Sequence, residues 1–70
     1  GGVLVDGVTP GSPAEKAGIK EGDRIIAIAG ENIKNISTYM TVMSRQKSGS
    51  PLEVTILRQN QRLTLRVIPE

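Results

Sequence analysis

The sequence predicts an α+β domain: a small antiparallel β-sheet, or partial barrel, capped by one main helix and one short helix. Two runs of alternating apolar and polar residues near the end of the chain predict paired strands. Helix start signals lie near residue 12, and apolar residues between 36 and 43 recur at helical spacing. With 70 residues, the chain has room for a single domain over residues 1–70 and one modest core.

Two strands are predicted in the first half of the chain. Apolar, β-branched residues predict the first over Val3–Val8, with Asp6–Gly7 as a bend near its end. The isoleucines of Arg24–Ile28 predict the second. Ala29–Asn32 is expected to turn, and Ile33 begins a brief extended stretch.

A short helix is predicted between these strands, from Pro13 to Ala17. Ser12 supplies an N-cap hydroxyl, the proline suits the first helical position, and Glu15 supplies a capping-box carboxylate. Gly18 stands where a helix of this length needs a residue that tolerates positive φ, as in a Schellman ending. This dense stretch of glycine, proline and charge is therefore expected to begin and end a helix.

The main helix is predicted from Asn35 or Ser37 to Gln46, before the helix-breaking stretch at 48–51. Its apolar stripe consists of Ile36, Tyr39, Met40 and Met43. Ile36 and Met43 are assigned mainly to the core. Tyr39 and Met40 are left open between the core and the wall of a groove; the flexible thioether of a methionine suits either place.

The last two strands form a predicted antiparallel hairpin with one buried and one solvated face. Residues 52–57 and 62–67 alternate, and Gln59–Gln61 forms the polar turn between them. Arg58, Arg62 and Arg66 give the hairpin a basic character. A solvated face is the favoured interpretation, and a site for acidic partners is the alternative.

The composition excludes several functional classes. The chain has neither Cys nor His, so it lacks thiolate ligands, disulfides and the commonest general base and zinc ligand. Its nine basic and seven acidic residues are spread out, and Tyr39 is its one aromatic residue, so nucleic-acid binding is not expected. The apolar run 25–29 is too short to span a bilayer, so no direct membrane insertion is expected.

No catalytic, metal or cofactor site is predicted. Ser12 could be considered a nucleophile, but no base accompanies it, and the N-cap role is favoured. Asp23 could be a metal ligand or general base, but without clustered carboxylates a turn-stabilising role is the better interpretation. Gly18 and Gly22 could cradle an anion, yet no phosphate-binding pattern surrounds them.

Ordered features at matching spacings link this chain to a known family. The segments "GVLVDGVTPGSPAEKAGIKEGDRIIAIAGENI" and "LEVTILRQNQRLTLRVIP", with a helix between them, resemble a PDZ domain of the bacterial protease-associated type. The stretch "GVLVDGVTPGSPAEKAGIKEGD", together with "IKNISTYMTVMSRQK", looks most like the version linked to bacterial zinc aminopeptidases. HtrA-type and site-2-type protease PDZ domains are also similar.

The resemblance implies a PDZ-like fold and a non-catalytic peptide-recognition module. Such a module binds an extended segment or C-terminus by strand addition and presents substrate to, or regulates, a parent protease of the bacterial cell envelope. The expected partners are a peptide and the parent protease domain. The peptide-binding residues implied by the match are Val3, Leu4, Val5, Tyr39, Met40 and Met43.

The family's carboxylate-binding loop is the one feature without a clear match. Gly1–Leu4 imitates it weakly. The alternative is that this loop and its strand precede residue 1, so that the 70 residues lack the strand that pairs with ligand.

Two other functional hypotheses remain. The first is a structural or assembly module that contacts a neighbouring domain or self-associates through an unpaired strand edge at Val3–Val8. The second, an enzyme in its own right, is disfavoured because no catalytic constellation is found.

Overall fold

The computed structural model describes residues 1–70 and contains five strands and two helices. In chain order they are β1 (Val3–Leu4), α1 (Pro13–Ala17), β2 (Arg24–Ile28), β3 (Glu31–Asn32), α2 (Ile36–Ser44), β4 (Leu52–Arg58) and β5 (Gln61–Val67). The order of strands and helices matches the sequence prediction except for β3, which lies within the predicted turn Ala29–Asn32 because that turn closes over Ala29 and Gly30 alone. Neither helix has the length and apolar character that a membrane crossing requires.

The strands form one antiparallel sheet in the order β1-β2-β4-β5, and β3 pairs with β2 beyond the end of β1. The sheet is open and does not close into a barrel. The predicted fold class, a small antiparallel sheet with one main and one short helix, is confirmed. Its two central strands are β2 and β4, paired from Arg24↔Leu57 to Ile28↔Val54.

The core lies on one side of the sheet, which we call the inner face. Alternation along β4 turns Leu52, Val54 and Ile56 inward, and Ile56 is completely buried. From β2, Ile25 and Ile28 join them. The predicted buried face of the hairpin is thus confirmed on β4, whereas Leu63 and Leu65 of β5 are only half-buried.

Helix α1 has the predicted bounds and caps. The Ser12 hydroxyl accepts a hydrogen bond from the Glu15 amide at 3.3 Å. The Glu15 carboxylate accepts from the Gly11 amide at 2.8 Å, one residue earlier than a capping box requires. Gly18 has φ 97°, and the Ile19 amide reaches back to the Ala14 carbonyl, which is the Schellman pattern.

Helix α2 begins after Asn35, whose side-chain oxygen accepts from the Thr38 amide at 2.9 Å. Its buried residue is Val42, with 2% of its surface exposed. The assignment of Ile36 to the core is wrong, because this side chain is 58% exposed. The buried face of the helix is rotated toward Val42, with Tyr39 and Met43 packed against the core.

Strand β1 is shorter than the predicted Val3–Val8. It pairs with β2 only at Val3↔Ile25 and Leu4↔Arg24, because β2 begins at Arg24. One further contact continues the pairing, since the Val5 amide donates to the Asp23 carbonyl at 2.8 Å. Beyond it the chain continues toward α1 without strand pairing.

The β4–β5 hairpin closes through two residues rather than the three predicted. Gln59 and Asn60 have φ 51° and 66°, both in the left-handed region, and Arg58 pairs directly with Gln61. Two-residue turns of this hand match the twist of paired strands. The turn between β2 and β3 is built the same way, with φ 52° at Ala29 and 82° at Gly30.

Candidate functional site

An apolar cleft of about 430 Å³ opens on the inner face beside the segment that follows β1, where Val5, Gly7 and Val8 line it. Its volume is within the range usual for ligand sites. Eleven of its sixteen lining residues are hydrophobic. We call it the apolar cleft. Its floor consists of Ile25, Ile28, Leu52, Val54 and Val67. Its walls come from the segment after β1, from α1, from α2 and from residues 69–70.

Helix α2 contributes two of the predicted peptide-binding residues to this cleft. Tyr39 and Met43 line it, and both also pack on the buried core. Met40 lies outside the cleft and is 64% exposed. The sequence leaves open whether Tyr39 and Met40 lie in the core or in the wall of a groove. In the structure Tyr39 packs on the core and also lines the cleft, whereas Met40 does neither.

The β1 segment contributes residues on alternate sides. Val3 and Val5 turn toward the core, and Val5 lines the cleft. Leu4 points to the opposite side of the sheet, which we call the outer face, and is half-exposed. The structure therefore brings together Val5, Tyr39 and Met43 of the six predicted residues at the cleft, with Val3 behind them.

The backbone beside the cleft has a free edge. Val5 uses both its amide and its carbonyl on the side of β2, bonding Asp23 and Gly22. Since bonding alternates along an antiparallel strand, the amides and carbonyls of Leu4 and Asp6 face away from β2. Such an unpaired edge is a template for another strand.

Gly1–Leu4, the weak imitation of a carboxylate-binding loop, is held by contacts within the chain. The Gly2 amide donates to the Lys34 carbonyl at 3.1 Å. Gly2 has φ 95°, and a Cβ there would lie 2.6 Å from the Ile25 carbonyl oxygen, so this position requires glycine. The first amide of the loop is thus already bonded.

A buried ion pair fixes the loop that follows α1. Asp23 has 2% of its surface exposed and accepts from the Lys20 amide at 2.8 Å, which confirms its predicted turn role. It also accepts two hydrogen bonds from Arg58, at 2.9 and 2.8 Å. Arg58 donates to the Gly18 carbonyl as well, so its assignment to a solvated hairpin face is wrong.

The hydrogen bonds between Asp23 and Arg58 also shift the pKa values of both side chains. The Arg58 hydrogen bonds hold the pKa of Asp23 below its ordinary value, although burial opposes them, and the Lys20 amide adds to the lowering. The same hydrogen bonds raise the pKa of Arg58. The sequence signal for this pair was weak, because the two residues are far apart in the chain and each had a local explanation.

The apolar cleft has few polar side chains. Ser12 and Glu70 are its polar-side-chain residues apart from the Tyr39 hydroxyl, and Ser12 is occupied as an N-cap. No group of three or more His, Cys, Asp or Glu side chains is placed to hold a metal ion. An apolar floor beside a free strand edge fits an extended chain with apolar side chains.

Comparison with known proteins agrees with this geometry. The family model for the PDZ domain matches residues 1–68. Protease RseP of Yersinia pestis is 38% identical over 63 residues, which cover 90% of this chain and 14% of that protein. HhoA of Synechocystis, named as a serine protease, is 38% identical over 66 residues, covering 94% and 17%.

Relatives also occur outside bacterial proteases. Human Rho guanine nucleotide exchange factor 11 is 47% identical over 55 residues, covering 79% of this chain and 4% of that protein. In each of these three proteins the chain spans less than a fifth of the relative's length. The matches therefore identify the domain and not the activity of a whole protein.

Two solved structures share the fold and hold peptides. The HtrA3 PDZ domain bound to a phage-derived ligand has a TM-score of 0.86 and 30% identity, covering 99% of this chain and 60% of that one. An HtrA-type protease with a decapeptide also has a TM-score of 0.86, with 26% identity and coverage of 93% and 20%. The resemblance to HtrA-type and site-2-type PDZ domains is confirmed; the closer likeness to the aminopeptidase-linked version stays a prediction.

Proposed function

The chain belongs to the PDZ domain family, and from this premise we propose that it is a non-catalytic module that binds extended peptide segments at the apolar cleft. The observation that carries the proposal is the position of this cleft between a free strand edge and α2. Burying apolar ligand side chains there supplies affinity, and backbone hydrogen bonds supply direction.

The free edge at Leu4 and Asp6 is where strand addition begins in this proposal. In a longer protein, a segment preceding residue 1 pairs with this edge and brings the carboxylate-binding loop that Gly1–Leu4 does not supply. The ligand then lies between that segment and α2, with its side chains against Tyr39 and Met43. This arrangement explains why those side chains, and Val5 opposite them, remain only half-buried.

We further propose that the module works within a bacterial protease of the cell envelope, where it presents substrate or regulates access to the active site. Support comes from the similarity to RseP and HhoA. The similarity to a Rho exchange factor supports peptide binding without a protease. Sequencing the parent gene distinguishes a module within a protease from a peptide-binding module without one, because only the former requires a protease domain in the same protein as residues 1–70.

Peptide binding is tested by NMR titration with a library of C-terminal peptides and their amidated forms. The 70-residue chain and a version extended at its N-terminus are both titrated. We expect the extended version to bind, with shifts at Val5, Tyr39 and Met43. The absence of shifts in both versions with every peptide would contradict the proposal.

A matched pair of variants locates the ligand. Met43→Ala removes a side chain that lines the cleft, and Met40→Ala removes the same side chain from the exposed side of α2. We expect Met43→Ala to weaken binding about tenfold, in line with the loss of a buried side chain, and Met40→Ala to leave it nearly unchanged. Equal effects would place the ligand elsewhere.

Self-association is a second candidate, favoured by the same free edge at Leu4 and Asp6. A second copy that pairs at this edge would cover the cleft and compete with peptide. Light scattering over a range of concentrations tests this: a dimer whose mass falls when peptide is added supports it, and a monomer at all concentrations rules it out.

A further inference from the structure

The outer face of the sheet carries a row of alternating apolar and basic side chains that crosses four strands. The register pairs Leu4 with Arg24, Arg24 with Leu57, and Leu57 with Arg62. Their neighbours Ile25 and Ile56 are buried, so by alternation all four residues of the row point outward. None of them contributes to the apolar cleft.

The basic residues of this face have no carboxylate partners. The three ion pairs of the structure involve Lys16, Arg45 and Arg58. Arg24 has only a long hydrogen bond, 3.4 Å, to the Gly1 carbonyl. Since buried Asp23 already neutralises Arg58, the unpaired positive charge of the sheet is on the outer face.

A shallow groove of about 550 Å³ runs along this face, and we call it the basic groove. Lys34 and Arg62 line it, and no Asp or Glu does. Ile26 and Leu57 contribute apolar surface, and Thr55 and Thr64 contribute hydroxyl groups. The nearest acidic residue in the sheet register is Glu53. It pairs with Arg66, which lies two residues after Thr64 on β5.

We propose that the basic groove binds an extended acidic segment of a partner protein, with Arg62 and Lys34 contacting its carboxylates. An arginine fork matches a carboxylate, and the threonine hydroxyls can donate to a peptide carbonyl. Arg24 does not line the groove, but it pairs with Leu57, which does; because strands lie about 4.8 Å apart, this third basic group is roughly 10 Å from Arg62. Carboxylates two to four residues apart on an extended chain span about 7 to 13 Å and can reach both.

An acidic protein segment fits this surface better than the other polyanions. Nucleic acid would need stacking platforms, and the single aromatic side chain, Tyr39, lies at the cleft on the inner face. An anionic bilayer surface would favour a protruding cluster of basic and apolar groups. The apolar side chains here, Ile26 and Leu57, are half-buried in a concave surface.

The probe for this site is a ten-residue peptide of alternating Glu and Ser, measured by NMR titration and fluorescence anisotropy at low and high salt. We expect shifts at Leu57, Arg62 and Thr64, and weaker binding as salt increases. Uniform small shifts at every basic residue would overturn the proposal, because they would indicate attraction by net charge alone.

Two double variants make the test specific. Lys34→Gln with Arg62→Gln removes two charges from the groove, and Lys20→Gln with Lys47→Gln removes two exposed charges away from it. We expect the first to weaken peptide binding about tenfold and the second less than about twofold. Equal losses would overturn the proposal. One other result would overturn it: the protein binds anionic phospholipid vesicles but not the acidic peptide, and only the first double variant abolishes this vesicle binding.

This proposal is independent of peptide binding at the apolar cleft, because the two sites lie on opposite faces of the sheet. Met43→Ala is expected to leave binding of the acidic peptide unchanged. If it weakened that binding as much as the groove variant did, the acidic peptide would be occupying the cleft and the basic groove would not be its site.

Discussion

The core around Ile56 and the walls of the apolar cleft contain the same kinds of side chain, but only the core around Ile56 is closed. Ile56 lies on β4 between β2 and β5, is completely buried and does not line the cleft. Val5 and Met43 line the cleft and stay half-buried. The difference lies in neighbours rather than residue type, and the unclosed half of the core is the part available to a ligand.

The largest effect is expected from Ile56→Ala in the closed region. This side chain is fully buried, so truncation should lower the free energy of unfolding by about 3 to 4 kcal/mol. Urea denaturation followed by circular dichroism measures the loss. A loss below about 1 kcal/mol would mean that the core around Ile56 is no better packed than the cleft.

Asp23→Asn tests the ion pair that holds the loop after α1 against the end of β4. The variant leaves the part-buried Arg58 hydrogen bonds without a charged acceptor, and we expect Tm at pH 7 to fall by roughly 10 °C. Glu21→Gln, an exposed neighbour, is the control and should change Tm little.

The pH dependence of this variant has a defined sign. The pKa of Asp23 is lower in the folded than in the unfolded chain, so its carboxylate stabilises the fold above the unfolded pKa of about 3.9. That stabilisation is lost as the pH falls through the lower, folded pKa. The difference in Tm between wild type and Asp23→Asn should therefore shrink below pH 4, and a constant difference would contradict this account.

A smaller effect is expected from Met43→Ala in the cleft. Because Met43 is half-buried, truncation should lower the free energy of unfolding by about 1 kcal/mol, well below the value for a closed core site. Added peptide should stabilise the wild type more than this variant. A loss equal to that of Ile56→Ala would show that the cleft is part of the closed core.

The smallest effect is expected from Met40→Ala, on the exposed side of the same helix. We expect a change within about 0.5 kcal/mol in the free energy of unfolding, measured in the same urea series. A clear loss here would show that Met40 packs against the domain.

Locally encoded features could be predicted from the sequence with correct bounds. Pro13–Ala17 and Arg24–Ile28 agree with the structure because a cap, a glycine stop and a run of isoleucines act within a few residues. The PDZ resemblance extended this to the whole chain, since it depends on the order of such local features.

Features set by distant partners could not be predicted as well. The predicted apolar stripe of α2 includes Ile36 and misses Val42, and only the position of the sheet decides which of the two is buried. Arg58 finds Asp23 through the pairing of β2 with β4, far apart in the chain. Within the site, Tyr39 and Met43 could be predicted, whereas the outward direction of Leu4 depends on its register with Arg24.

The register of the central strands has a consequence for the order of folding. The β4–β5 hairpin closes over two residues, whereas pairing Ile25 with Ile56 closes a loop of roughly thirty residues and costs more chain entropy. We therefore expect the hairpin to form early and the β2–β4 pairing, which lays the floor of the apolar cleft, to come with the slower step. A peptide that recognises the finished cleft should then slow unfolding without accelerating folding.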